Sequence, residues 1–239
     1  MKVKVMKFGG TSLKSVVTRE YVYGHIKKYV KDYKIVLVVS AMGRYPNIFA
    51  TDTLLSYAHD KMSKEEKAWL ASIGEQYASL RVCSELLDMG YSCRAISYVE
   101  AGIVSDDKYD YAKVMYLNSQ FIEQYLQHYD ILVVGGFLAV NSAYKVTTLG
   151  RGGSDYSAVL FAHMLNLKEV EIYTDVDGVY DKDPNISTNA KRFDALSYDE
   201  MLNLKSRVLE DRCVDYAKKH QIRIHLLGTF SEKSGTFVQ

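Results

Sequence analysis

Ile35-Val36-Leu37-Val38-Val39-Ser40-Ala41-Met42-Gly43 is the stretch on which the fold turns. Its first five residues are all apolar, without the in–out alternation of a half-exposed strand. Such a run is expected of a strand buried on both faces, as inside a parallel sheet. It then breaks into small and flexible residues. The same unit recurs along the chain. Residues 3–8 run into Gly9-Gly10-Thr11-Ser12, 130–134 into Gly135-Gly136, and 170–174 into Asp175-Val176-Asp177-Gly178, and 222–226 form a last strand. Helices are predicted between these strands, over 13–30, 52–60, 64–89, 154–165, 197–204 and 206–219. Another over 112–127 follows from the spacing of Val114, Leu117, Phe121 and Tyr125. Shorter strands fall near 92–97, 102–105 and 145–148, and 44–50 is a loop. Strands alternating with helices predict an α/β protein, a three-layer sandwich with a mainly parallel central sheet and helices on both faces. Ligands in such sheets bind beyond the carboxyl ends of the strands, where the glycine-rich breaks lie.

The bulk properties narrow the function. The chain has 239 residues, 48% hydrophobic and 25% charged, which suits one domain over 1–239. Its 30 basic and 29 acidic residues leave a net charge of +1, so no basic excess exists to hold a nucleic acid. Cys83, Cys93 and Cys213 have neither zinc nor disulfide-framework spacing and are expected to be reduced thiols of a cytoplasmic protein. The N-terminus alternates charged and apolar residues, unlike a signal peptide, and no 18-residue apolar run exists to span a membrane.

Lys7-Phe8-Gly9-Gly10-Thr11-Ser12 joins a strand end to a helix start. Glycines let backbone N–H groups approach phosphate oxygens, and Lys7 can neutralise a transferred phosphoryl group. The Gly-Lys-Ser/Thr of a Walker loop is absent, and a plain strand–helix turn is the competing explanation. Gly150-Arg151-Gly152-Gly153-Ser154-Asp155 is more telling. Ser154 and Asp155 would cap any helix, but capping does not explain an arginine among three glycines. Arginine binds carboxylate or phosphate bidentately, and glycines clear space for a ligand. Tyr173–Tyr180 with Asp183-Pro184-Asn185 is turn-forming and lacks calcium-loop spacing, so no direct metal site is assigned to its aspartates. Gly74 beside Glu75, inside a predicted helix, signals close packing or a ligand.

In order, these segments resemble the amino acid kinase family, in its aspartokinase branch. Val38-Val39-Ser40-Ala41-Met42-Gly43 with Ala50-Thr51-Asp52, Ala101-Gly102-Ile103 and Gly135-Gly136-Phe137 belong to the same resemblance. It implies the reaction of ATP with L-aspartate to give ADP and 4-phospho-L-aspartate, which opens lysine, threonine and methionine biosynthesis. ATP would lie in the C-terminal half and the acceptor nearer the N-terminal half. The resemblance casts Lys7 and Asp155 as catalytic, with Asp155 organising the lysine and the Mg²⁺-phosphate group. Arg151 would hold the substrate α-carboxylate and Glu75 its α-amino group, while Thr51 and Ser154 place the β-carboxylate. Gly9, Gly10, Ser40 and Gly153 would line the phosphates, and Thr174, Asp175, Tyr180, Asn185 and Arg207 the nucleotide. Mg²⁺ would be carried on the ATP phosphates.

Lys205-Ser206-Arg207-Val208-Leu209-Glu210-Asp211 departs from the family's usual Gly-Ala-Lys-Val-Leu-His-Pro, with Arg207 standing for a nucleotide-contacting lysine. The family match reaches the last strand, so no ACT regulatory module is expected within these residues. Lysine, threonine and methionine are then expected to leave the rate unchanged unless a separate ACT-bearing subunit docks. A homodimer is expected. Two alternatives stay open: a family kinase for another carboxylate or phosphate acceptor, and a nucleotide-binding subunit without turnover.

Overall fold

A computed structural model describes residues 2–182, 186–187, 189–204 and 208–239. In chain order, β1 (Val3–Phe8), α1 (Gly10–Leu13), α2 (Val16–Tyr29), β2 (Lys34–Val39), α3 (Thr51–Ser56) and α4 (Lys64–Asp88) come first. Next are β3 (Cys93–Ile96), β4 (Ile103–Ser105), β5 (Val114–Leu117), α5 (Gln120–Leu126), β6 (Ile131–Gly135), β7 (Leu138–Val140) and β8 (Val146–Thr148). The C-terminal part holds α6 (Gly153–Met164), β9 (Glu169–Thr174), β10 (Ala195–Leu196), α7 (Tyr198–Asn203), α8 (Asp211–His220), β11 (Arg223–Gly228) and β12 (Thr236–Val238).

Eight strands form the main sheet in the order β10-β12-β11-β9-β1-β2-β6-β3, parallel except where β11 meets β12. A four-stranded sheet, β5-β4-β7-β8, sits beside it. The unbroken run of β2 divides between two cores. Val36 and Val38 join a cluster with Val159, Phe161 and Val214 of α6 and α8. Ile35, Leu37 and Val39 join a second with Val22, Ile26, Val82 and Leu86 of α2 and α4. Each strand residue thus loses its water to a helix on one face or the other, so no polar position interrupts the run. The three-layer sandwich is as expected.

Local signals set the helix starts. Ser15 and Ser63 each cap a helix through a reciprocal box, with Thr18 and Glu66 as partners. The Ser15 cap splits the single helix expected over 13–30 into α1 and α2. The helix expected over 112–127 is also corrected. Val114–Leu117 is a strand paired antiparallel with β4, and only Gln120–Leu126 is helical. A spacing of three and four residues buries Val114, Leu117 and Tyr125 against one core in either conformation, so periodicity alone could not choose. The available edge of β4 decides it. The helix expected from 206 begins at Asp211, after Glu210 in an extended N-cap conformation. The short strands β7, β10 and β12 were not foreseen. Cys83, Cys93 and Cys213 are buried free thiols. No helix among the described residues is long and apolar enough to cross a membrane.

Candidate active site

β1 and β2 are adjacent and parallel, with Lys7 in register with Val38 and Phe8 with Val39. Their carboxyl ends therefore deliver two turns side by side, Gly9-Gly10 and Ser40-Ala41-Met42-Gly43. A Cβ on Gly10 would overlap the Ala41 carbonyl oxygen and lie 2.7 Å from that of Gly43, so only glycine lets the turns touch. The amino end of α6 meets them from the face that carries Val5 and Lys7. The chain enters α6 through Gly152 at φ +64, where a Cβ would run into the Glu210 side chain. Phe137, also left-handed at φ +67, is held there by its N–H, which donates to Ser157 Oγ at 3.0 Å. Strain of this kind on a bulky residue concentrates at ligand sites.

Lys7 Nζ lies 2.6 Å from Asp155 Oδ1, with both side chains largely buried. Two cavities meet at this pair. One, of about 300 Å³, is lined by Lys7, Gly10, Ser40, Thr51, Glu75 and the segment from Gly150 to Asp155. The other, of about 370 Å³, is lined by Lys7, Gly9, Gly10, Ser40, Asp155, Thr174 and Asp175. Thirteen of the positions singled out from sequence can be placed, and all but Tyr180 fall on these walls. The Tyr180 hydroxyl instead donates to Asp177 Oδ1 at 2.6 Å. Asn185 and Arg207 lie outside the described residues.

Glu75 is the most constrained acidic group in the cleft. It projects from the middle of α4 and is fully buried, and its Oε1 accepts from the Ala41 N–H at 3.3 Å and the Thr51 hydroxyl at 3.2 Å. Its Oε2 has no partner in the described structure. Burial pushes its carboxyl up to about 7, against which these hydrogen bonds only partly work. A cationic group arriving in the cavity would relieve both deficits. Gly74 is explained by close packing: a Cβ there would lie 2.5 Å from the Phe49 carbonyl oxygen and 2.8 Å from Ala41 Cβ. The opposite wall carries Arg151, whose side chain is exposed and makes no ion pair among the described residues.

Sequence reasoning missed Arg44, Asp52 and Phe137 in the first cavity, and Thr11, Val176 and Val208 in the second. Asp52 and Thr11 adjoin motif residues and were within reach. Arg44 sits in a stretch that reads as an ordinary polar loop. Among the described residues, Glu169, Glu171 and His225 bring three metal-ligating atoms within 4.8 Å of one another. None lines the cleft, and each is engaged: Glu171 by Lys4, Glu169 by Arg223, and His225 Nε2 with the Ser234 carbonyl at 2.7 Å.

A mainly parallel sheet with two adjoining cavities over its carboxyl ends, joined at a buried lysine–aspartate pair, defines this α/β domain. The model of the amino acid kinase family matches residues 2–228, and the chain belongs to that family. Aspartokinase 1 of Bacillus subtilis is 36% identical over 245 aligned residues, covering all of this chain and 61% of that protein. The chain thus spans about three-fifths of the curated relatives it matches. The crystal structure of aspartate kinase from Synechocystis superposes with a TM-score of 0.82 at 30% identity, over 99% of this chain and 39% of that one. E. coli aspartokinase III in complex with aspartate and ADP shares the fold, with a TM-score of 0.85 at 23% identity, over 99% of this chain and 64% of that one.

Proposed function

We propose that this chain is an aspartate kinase, which moves the γ-phosphoryl group of ATP to the side-chain carboxylate of L-aspartate. The observation that carries this is that one small cavity holds both Glu75, a buried carboxylate with one oxygen unpartnered, and Arg151, a guanidinium without an ion pair, among the described residues. An α-amino acid presents a cation and an anion on one carbon, and these two side chains match them. Thr51 and Ser154 line the same cavity and would direct the remaining carboxylate toward Lys7. Similarity to aspartokinases along the whole chain supports the same assignment.

The second cavity would take the nucleotide, with Gly9, Gly10 and Ser40 near the phosphates, Gly153 facing them from the first cavity, and Thr174 and Asp175 beyond them. A carboxylate is already a nucleophile at neutral pH, so no general base is required. Its oxygen forms a bond to the γ-phosphorus as the bond to the bridging oxygen of ADP breaks, and no proton moves. What the protein must supply is alignment and charge compensation between two anions. Lys7, where the cavities meet, compensates the transferring group, and Asp155 fixes its ammonium. A subunit without turnover would have no use for that buried pair.

Mg²⁺ fits this donor set, because Ser40, Thr11, Thr174, Asp155 and Asp175 offer hard oxygen ligands. With no three-ligand cluster among the described cleft residues, the ion would ride on the ATP phosphates and neutralise part of their charge. Trapping the acyl phosphate with hydroxylamine tests the proposal.

The one domain expected over 1–239 would act in the cytoplasm as a homodimer through α4. Trp69, Ile73, Leu80 and Leu87 form an exposed apolar stripe along this 25-residue helix. Antiparallel pairing with a second copy would lay Ile73 against Leu80 and bring Lys64 and Lys67 toward Asp88. Leu80→Asp should yield a monomer by light scattering, and an unchanged mass would refute that interface.

A further inference from the structure

Six residues line both cavities: Lys7, Gly10, Ser40, Gly43, Arg44 and Asp155. Two of them are cations, and they differ in one respect. Lys7 already faces Asp155 at 2.6 Å. The Arg44 guanidinium makes no hydrogen bond, ion pair or ring contact among the described residues.

Its backbone is held nonetheless. The Gly43 N–H donates to the Gly10 carbonyl at 2.9 Å, docking the loop on the glycine turn. Gly43 sits at φ +80, a conformation suited to glycine, and a Cβ there would also overlap Asn47. The Arg44 N–H donates to Asn47 Oδ1 at 3.3 Å, and the Asn47 N–H returns to the Arg44 carbonyl at 2.8 Å. Arg44 is thus a free cationic tip on a stem fastened to the turn that Gly10 forms.

The charge on the nucleotide-side wall sharpens the case. Its described ionisable residues are Lys7 and Arg44 against Asp155 and Asp175. Without Arg44 the described residues of the wall would be net negative while facing a polyphosphate, an arrangement that opposes binding. An ordinary surface arginine would not be the group that balances a cavity.

We propose that Arg44 binds the γ-phosphoryl group of the nucleotide as it passes between the two cavities, as a second cation beside Lys7. The proposal rests on the phosphotransfer role of the cleft but not on the identity of the acceptor. A guanidinium can bridge two phosphoryl oxygens, and spreading charge over those oxygens is what the transition state needs. ADP lacks the group that Arg44 would touch, so the side chain should distinguish ATP from ADP.

Calorimetric titration of Mg-ATP and Mg-ADP into the wild-type protein, Arg44→Ala and Arg44→Lys tests this directly. Arg44→Ala should weaken Mg-ATP about tenfold or more and leave Mg-ADP within about twofold, and Arg44→Lys should recover part of the loss. In turnover, Arg44→Ala should lower kcat by about 10²-fold, with a much smaller change in the aspartate KM. Equal losses for both nucleotides, or none for either, would overturn the proposal, and matching thermal melts show that the variants are folded. Should the wild-type protein not phosphorylate aspartate, the acceptor assignment fails while the ATP-to-ADP ratio still decides the role of Arg44.

Discussion

Lys7 at the carboxyl end of β1 and Asp155 in the first turn of α6 meet at 2.6 Å, although they stand 148 positions apart in the chain. The pair stands where the two cavities join, so one contact sets both the depth of the cleft and the position of its buried ammonium. Lys7→Ala should lower kcat by about 10²-fold or more, since one lost transition-state charge contact costs about 2.7–4 kcal/mol. Steady-state kinetics with saturating ATP and aspartate check this. A near-normal kcat would remove Lys7 from the chemistry.

Arg151 should behave differently. A clamp on the α-carboxylate holds substrate in the ground state as well as in the transition state. Arg151→Ala is therefore expected to raise the aspartate KM by about tenfold or more, with a smaller fall in kcat. If kcat carried the whole loss, Arg151 would belong with the transferring phosphoryl group instead.

Glu75 makes aspartate binding depend on pH. Burial disfavours its charge and pushes its carboxyl up to about 7, while an incoming ammonium favours the ionised form. The aspartate KM should thus be flat above about pH 7.5 and rise toward tenfold per pH unit below 7. Glu75→Gln should raise KM and abolish that slope. A wild-type KM constant from pH 6 to 8 would contradict this role.

The same residue costs stability. Its folded pKa of about 7 lies above the ordinary 4.5, so the native state binds the extra proton in that window. The stabilising effect of protonation is fully present below about pH 4.5 and is lost as pH rises through 7. At pH 8 the charged carboxylate, whose Oε2 has no partner in the described structure, should cost about 3 kcal/mol, and Glu75→Gln should melt higher there while matching wild type near pH 4. Urea melts at both pH values decide it, and a variant no more stable at pH 8 would be the contrary result.

Gly74→Ala pits helix propensity against packing. Alanine gains about 1 kcal/mol within a helix. Here its methyl would sit 2.5 Å from the Phe49 carbonyl oxygen and 2.8 Å from Ala41 Cβ, both beside the cleft. Overpacking of this kind costs about 1–3 kcal/mol, so a lower Tm and a higher aspartate KM are expected together. A raised Tm would mean the neighbouring loop yields easily.

Much of the architecture is legible in the chain because its strands are chemically unambiguous. Residues 35–39 have no polar position for a solvent face, and they prove buried on both. Val114–Leu117 is the counter-example, where helical spacing concealed a strand completed by β4, a partner no local window contains. The cleft divides the same way. Glu75, Arg151 and Asp155 stand beside glycines whose placement already asks for a ligand or a close approach. Arg44 also follows a glycine, Gly43, but its meaning comes from two hydrogen-bonded turns on neighbouring strands, which no local window contains.

Acyl phosphate formation is the most direct measure of the central claim. The purified protein, incubated with Mg-ATP, hydroxylamine and single amino acids, should yield the hydroxamate with L-aspartate and far less with L-glutamate. The longer glutamate chain would carry its carboxylate past Lys7 when Glu75 and Arg151 hold the α-carbon. Equal yields from the two, or none from either under conditions where Mg-ATP binds, would contradict the assignment of aspartate as acceptor.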